Sequence, residues 1–355
     1  MASQYPPTPG SRFRDLPVDL LRGIAIVLMV GANTVPYLLL PPVPFALRVL
    51  ASLAAPLFIL LSGMMVALSR SRKPHKLSYF LVRGGLVILV AALLQSAVWG
   101  IVPFIDMDVL FLIGVSLPLA YLFLGLRQSV RWGIIVALFA VTPIIQLVFG
   151  YPVLPVQLPL TGFPAGVGDW LLPAAAGDWL VGGWFPLFPW LGVAFLGAEL
   201  GMVRWAKNGI TTFGTRQAAL VSLGILAAGA ALWALHPGPQ LVRYGYVELF
   251  YPPEPGFCLC VFGAILCMFV IADLIPAARI PAPLCAMGEC SLAIYILHSV
   301  IIAWVIGPAG LMLPLPAFLL CICLFIAGMC AFACLLRYFR KRGKGSFLVR
   351  FLTGG

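Results

Sequence analysis

Two polar side chains stand inside long apolar stretches and have types suited to group transfer. His298 lies in the segment Tyr295-Ile-Leu-His-Ser299, among apolar neighbours. An imidazole takes up a proton near neutral pH, so His298 is a candidate general base. Asn33 lies toward the end of the first apolar stretch, where its amide could orient an acyl carbonyl or donate to an oxyanion. For both residues, a hydrogen bond between helices that serves packing alone is an equally good interpretation.

Acidic and aromatic side chains near the ends of other apolar stretches are candidates for binding a polar substrate. Asp106 and Asp108 lie two residues apart just before an apolar stretch, and we expect one of them to cap a helix. Tyr244 and Glu248 lie in a later connection, and Trp190 is near the start of another apolar stretch. Polar groups beside apolar segments are costly to desolvate, so each of these residues is a candidate for a functional site. We predict that these five residues surround an acceptor.

The composition shows what kind of element must position these residues. Of 355 residues, 62% are hydrophobic and 9% are charged, and the mean hydropathy is +1.08. Soluble domains have about 45–50% apolar and about 25% charged residues. A soluble globular protein, a disordered chain, a collagen-like repeat and a secreted disulfide scaffold are therefore excluded.

Runs of about 20 apolar residues predict helices that cross a membrane. Ten such runs occur, at approximately 19–40, 49–69, 84–102, 108–126, 132–150, 185–203, 217–235, 257–277, 284–306 and 316–336. The predicted fold class is therefore an all-α, polytopic integral membrane protein with about ten transmembrane helices.

The basic residues set the orientation of these helices. Twenty of the 22 Lys and Arg residues fall in alternate gaps between the runs, and only Arg48 and Arg243 fall on the other side. By the positive-inside rule, both termini are cytoplasmic. This placement favours a membrane topology signal over a nucleic-acid-binding patch. The predicted segments are a cytoplasmic tail at 1–18, a transmembrane domain at 19–336 with an outer loop at 151–184, and a basic cytoplasmic tail at 337–355.

Basic residues at the predicted inner side form a candidate site for an anion. Arg22, Arg70, Lys73 and Arg83 would suit the phosphates of a cytoplasmic cofactor, and anionic lipid headgroups equally. Asp19 precedes Arg22 by three residues, a spacing that also fits an ion pair at the start of a helix.

The nine cysteines are predicted to be packing residues. All of them lie late in the chain, between positions 258 and 334, in the last three predicted membrane helices. They lack the spacing of zinc ligands and do not lie in an outer loop, so we predict no metal site and no disulfide.

Seven stretches, in order along nearly the whole chain, carry a family resemblance. They are 14–33, 55–63, 105–114, 185–197, 250–253, 288–298 and the basic tail after Arg337. In this order they resemble the heparan-alpha-glucosaminide N-acetyltransferase family, including its bacterial relatives with the DUF1624 domain, within the wider group of transmembrane acyltransferases.

The resemblance implies an enzyme that takes an acetyl or acyl group from cytoplasmic acetyl-CoA, or another acyl-CoA. The group would pass to an amino or hydroxyl group of a glycan on the exoplasmic side, in a bacterial inner membrane. Family members use an Asn that matches Asn33 and a His in the loop after it, but residues 34–48 contain no histidine. Either His298 is the base, or transfer relies on positioning of the two substrates, or the activity is lost.

Two other functions stay open at this point. A transporter or flippase of a lipid or glycan would need no acyl-transfer chemistry, but it predicts inverted repeats and paired intramembrane charges, which the sequence does not show. A structural subunit is the third interpretation. The partners expected for the enzyme are acyl-CoA, a glycan acceptor and membrane lipids, with no nucleic acid; a homodimer is left open as the assembly.

Overall fold

The chain folds into a bundle of apolar helices. The computed structural model describes residues 14–72, 75–152, 154–161, 167–206, 209–238, 241–243, 246–247, 249 and 251–342. Within these residues, nine helices are long and apolar enough to cross a membrane, and a shorter apolar helix spans Val109–Phe123. The prediction of an all-α polytopic membrane protein is confirmed. Three candidate site residues, Lys73, Tyr244 and Glu248, lie outside the described residues.

The helix bounds follow the predicted apolar runs closely. The first five are α1 Leu16–Leu38, α2 Phe45–Arg72, α3 Leu77–Leu93, α4 Val109–Phe123 and α5 Gln128–Phe149. The later ones are α6 Val167–Gly177, α7 Leu187–Arg204, α8 Arg216–Leu235, α9 Pro255–Leu274, α10 Ala282–Glu289, α11 Ser291–Ile301, α12 Gly307–Ala309 and α13 Leu315–Lys341. Two short strands, β1 Val242–Arg243 and β2 Tyr246–Val247, pair antiparallel between α8 and α9.

Two regions differ from a plain succession of ten helices. The ninth predicted run divides at Cys290, whose non-helical φ of −98° and ψ of 23° separate α10 from α11. The segment 151–184, expected to be a loop, contains α6 and a π-helical turn at Asp178–Gly182. The apolar pattern alone could not show either feature, because a short break and a short apolar helix leave the average hydropathy unchanged.

Close approach of helix backbones holds the centre of the bundle together. A Cβ atom on Gly63 of α2 would lie 1.8 Å from the carbonyl oxygen of Ala194 on α7, and one on Gly197 would lie 1.9 Å from that of Leu60. Only glycine fits at these two positions. Helices in membranes gain much of their association energy from such close backbone packing, because lipid tails remove the usual hydrophobic driving force.

A buried arginine ties three helix ends together at the predicted inner side. Arg204, at the end of α7, is 1% exposed. Its guanidinium donates to both oxygens of Asp15, at 2.6 and 2.8 Å, and to both oxygens of Asp273, at 2.9 and 2.8 Å. Asp15 is the N-cap of α1 and Asp273 lies in the last turn of α9. The bidentate pairing satisfies both carboxylates and fixes the relative positions of α1, α7 and α9.

We expect Arg204→Met to lower the free energy of unfolding by about 3–5 kcal/mol, because it leaves two buried carboxylates without their partner. The measurement is thermal unfolding of the detergent-purified protein. Arg216→Met is the matched control, since Arg216 is exposed at the start of α8 and the same side-chain change costs little there. Equal midpoints for the two variants would contradict the assignment.

Candidate functional site

A cavity of about 370 Å³ opens between the predicted outer ends of the helices. Its inner part is apolar, with Met29 of α1 and Phe58 of α2 among the lining residues. Its outer part is polar and is formed by residues of α1 and α11 together with residues between helices. The polar lining residues are Asn33, Tyr37, Gln95, Asp106, Asp108, Gln157, Trp184, Tyr251, Tyr295, His298 and Ser299. The structure therefore brings together Asn33, Asp106, Asp108 and His298, which lie far apart in the sequence.

Asn33 and His298 form a hydrogen-bonded pair across α1 and α11. The Nδ2 atom of Asn33 lies 3.0 Å from Nε2 of His298, and Nδ1 of His298 lies 3.0 Å from the carbonyl oxygen of Ile294. A carbonyl only accepts, so Nδ1 carries the ring proton and Nε2 accepts from the Asn33 amide. Both ring nitrogens therefore have partners within the protein.

The two members of the pair differ in access to the cavity. His298 is 0% exposed, whereas Asn33 is exposed. One N–H of the Asn33 amide is held by the ring, and its other N–H and its Oδ1 are open to a ligand in the cavity. Asn33 can therefore touch a bound carbonyl, and His298 sets the direction in which the amide points.

Asp108 is the N-cap of α4, as the sequence predicts for one of the two aspartates. Its Oδ1 accepts from the backbone N–H of Val109 at 2.6 Å, and its Oδ2 accepts from the hydroxyl of Tyr295 at 3.0 Å. Tyr295 lies one turn before His298 on α11, and their rings are 5.2 Å apart in an edge-to-face arrangement. Burial raises the pKa of Asp108 above its ordinary value, against the effect of its two donors.

Asp106 holds the outer segments over the cavity. It is 2% exposed, its Oδ2 accepts from Nε2 of Gln157 at 3.1 Å, and its Oδ1 accepts from the backbone N–H of Trp184 at 3.4 Å. Burial raises the pKa of Asp106 to about 7, with smaller contributions in the same direction from the charges of Asp108 and Asp178. Gln157 lies between α5 and α6 and Trp184 lies just before α7, and both line the cavity, so this carboxyl joins the segment before α4 to both of these segments.

The structure separates Trp190 from Asp106 and Asp108, the other predicted acceptor residues that it describes. Trp190 is 1% exposed and does not line the cavity; its ring packs edge-to-face on Phe185, which does. Trp190 therefore packs against a residue of the cavity lining and does not itself face the cavity. Tyr251, which lies in one of the family-like stretches, also lines the cavity, and its hydroxyl donates to the carbonyl oxygen of Trp184 at 2.8 Å.

Three of the four basic residues predicted at the inner side, Arg22, Arg70 and Arg83, lie among the described residues. Arg22 lies within electrostatic range of Arg83, and its guanidinium is 3.6 Å from Asp19. Arg83 donates to the hydroxyl of Tyr79 at 2.9 Å. Arg70 instead lies over the ring of Tyr121, 5.6 Å from its centroid, at the end of α4. Arg22 and Arg83 are the two of these three residues that interact electrostatically with each other.

No group of three His, Cys, Asp or Glu side chains is arranged to hold a metal ion within the described ranges. Gln157, Tyr251 and Tyr295 also line the cavity. The sequence shows that they are polar but not that they face a common cavity, because it does not show which outer segments meet.

We predict that the outer segment at 154–161 is held more firmly at low pH. When this segment opens, Asp106 becomes hydrated and its pKa falls toward the ordinary value of 3.8. The closed state therefore binds the Asp106 proton more tightly than the open state, and protonation at low pH favours the closed state. Protection of the Leu160 amide, which donates to the carbonyl oxygen of Gly100, should fall as pH rises from about 4 through about 7. Hydrogen exchange, corrected for its intrinsic pH dependence, measures this. Asp106→Asn should abolish the change, and an unaltered pH dependence in that variant would contradict the role of Asp106.

A comparison of the sequence with known protein families gives a match. The family model described as heparan-alpha-glucosaminide N-acetyltransferase, catalytic, matches residues 14–236, which is more than half of the chain. The match includes Asn33, Asp106 and Asp108, whereas His298 lies beyond it. No curated protein matches the chain at a significant level. The extent of this match shows that the chain belongs to the heparan-alpha-glucosaminide N-acetyltransferase family.

Proposed function

We propose that this protein transfers an acetyl or acyl group from cytoplasmic acyl-CoA to an amino or hydroxyl group of a glycan on the exoplasmic side. The proposed location is the inner membrane of a bacterium. The observation that carries the proposal is the hydrogen bond between Asn33 and His298. The Asn33 amide in this pair is exposed to a cavity with a polar outer end.

Asn33 is proposed to hold the reacting carbonyl. Its free N–H can donate to the thioester oxygen and, more strongly, to the oxyanion that forms as the acceptor attacks. His298 is proposed to fix the amide rather than to remove a proton from the acceptor. The general-base role expected from the sequence is not kept, because Nε2 is already hydrogen-bonded to Asn33 and the ring is 0% exposed.

The donor is proposed to enter from the inner side. Arg22 and Arg83 would contact its phosphates, and the acyl end would reach Asn33 along α1. Arg22 and Asn33 lie eleven residues apart on this helix, and a rise of about 1.5 Å per residue separates them by about 16 Å. A pantetheine arm is long and thin enough to span that distance between helices. Direct transfer then needs the acceptor and the thioester carbon about 3–3.5 Å apart.

We expect Asn33→Ala to lower acyl transfer about 10²–10³-fold, the usual effect of removing one oxyanion donor. Release of free thiol from acetyl-CoA in the presence of candidate sugar acceptors measures the rate. His298→Ala should lower it as well, since the amide loses its fixed direction. His236→Ala is the matched control, because His236 is exposed at the end of α8 and does not line the cavity. Full activity in both the Asn33 and His298 variants would refute the proposed roles.

We expect acetyl-CoA to bind the detergent-purified protein in a saturable way, with Arg83→Ala weakening binding about tenfold or more, equivalent to about 1.4 kcal/mol. Isothermal titration calorimetry measures this, with free coenzyme A alongside. Arg216→Ala is the matched control, an exposed arginine at the predicted inner end of α8. Absence of binding to protein shown to be folded would reject the acyl-CoA donor and favour transport of a lipid or glycan without chemistry.

A further inference from the structure

The proposed transfer leaves one chemical requirement without a residue. An attacking amine or hydroxyl must lose a proton as its bond to the acyl carbon forms. In the described structure, the Asn33 amide has no basic site, and both nitrogens of His298 already have partners. The proton acceptor must be another group that faces the cavity.

Asp108 has the geometry of that group. Its carboxylate lines the cavity, is partly exposed and belongs to the rigid start of α4. The backbone N–H of Val109 and the hydroxyl of Tyr295 each donate to one of its oxygens, which fixes the direction of the carboxylate. Each carboxylate oxygen has a second lone pair, so both bonds leave capacity to accept from a substrate.

The other titratable groups that line the cavity are less suitable. These are Asp106 on the same loop, Tyr37 on α1, Tyr251 before α9, and Tyr295 and His298 on α11. Asp106 is 2% exposed, and both of its oxygens hold outer segments in place. A phenol hydroxyl is a weaker proton acceptor than a carboxylate, which has two acceptor oxygens. No Lys or Arg occurs among the described lining residues, so a lining carboxylate is not neutralised within the cavity.

We propose that Asp108 is the general base of the transfer, with Tyr295 as the residue that positions it. This inference rests on the proposed function. The acceptor nitrogen or oxygen forms a bond to the acyl carbon, and its proton passes to Asp108. The carbon–sulfur bond then breaks, and the coenzyme A thiolate leaves with the electron pair. The proton on Asp108 returns to the thiolate or to water in the outer part of the cavity, which restores the carboxylate.

The test uses Asp108→Asn, because asparagine caps a helix as well as aspartate does. The fold of α4 is therefore kept while the basic carboxylate is lost. Acetyl transfer is measured in the full-length protein with the acceptor on which the wild-type protein is active. We expect kcat to fall about 10²–10⁴-fold, the usual contribution of a general base, with acetyl-CoA binding retained. Asp106→Asn should instead raise KM for the acceptor, since its effect is on the outer segments.

The positioning role of Tyr295 has a separate readout in the pH profile. The rate falls at low pH as Asp108 becomes protonated. Tyr295→Phe removes a hydrogen bond that favours the charged form, so the pKa of Asp108 rises and the acid limb of kcat moves to higher pH. Tyr338→Phe, at the far end of α13, is the matched control and should leave the limb in place.

Three outcomes separate this inference from the function on which it rests. Asp108→Asn with kcat within threefold of an active wild-type protein would overturn the base assignment and leave the proposed transfer intact. An acid limb that does not move in Tyr295→Phe would overturn the positioning role of Tyr295. A folded wild-type protein that transfers to no amino or hydroxyl acceptor would reject the proposed function, and the role of Asp108 with it.

Discussion

The structure depends on one constraint: a polar group placed among apolar helices must find its partner within the protein. Water is not available in the hydrocarbon to compensate for a missing hydrogen bond. Arg204 meets this constraint with two carboxylates, which ties together the ends of α1, α7 and α9. The Asn33–His298 pair meets it between α1 and α11. The α1 helix therefore has the Asp15–Arg204 ion pair at its inner end and the Asn33 amide near its outer end.

The roles proposed for His298, Asn33 and Asp108 follow from which of these side chains are exposed to the cavity. Both ring nitrogens of His298 have partners and the ring is buried, so we propose that His298 acts through Asn33. Asn33 and Asp108 both line the cavity and are at least partly exposed. This arrangement bears on the histidine missing from residues 34–48. If the proton is taken by Asp108, the loop histidine expected from the family is not required. The chemistry then needs an oriented amide on one side of the reacting carbon and a carboxylate on the other.

Sequence reasoning predicted the fold class, the apolar helices and the family, because hydropathy and charge placement follow directly from the membrane. It also selected Asn33, Asp106, Asp108 and His298, since a polar residue beside an apolar run is visible in one chain. It could not find the pairing of Asn33 with His298, nor that Trp190 lies behind the cavity wall. Those facts depend on helix rotation and on contacts between distant segments. The network of Asp15, Arg204 and Asp273 was missed for the same reason.

Reconstituted vesicles test the central claim, which is passage of an acyl group from one side of the membrane to an acceptor on the other. Radiolabelled acetyl-CoA is confined to the side that carries the basic ends of the helices, and the sugar acceptor to the side of the cavity. The account predicts labelled acceptor from the wild-type protein and only trace label from Asn33→Ala. Label that forms only when donor and acceptor share one side, or equal label from the two proteins, would contradict it.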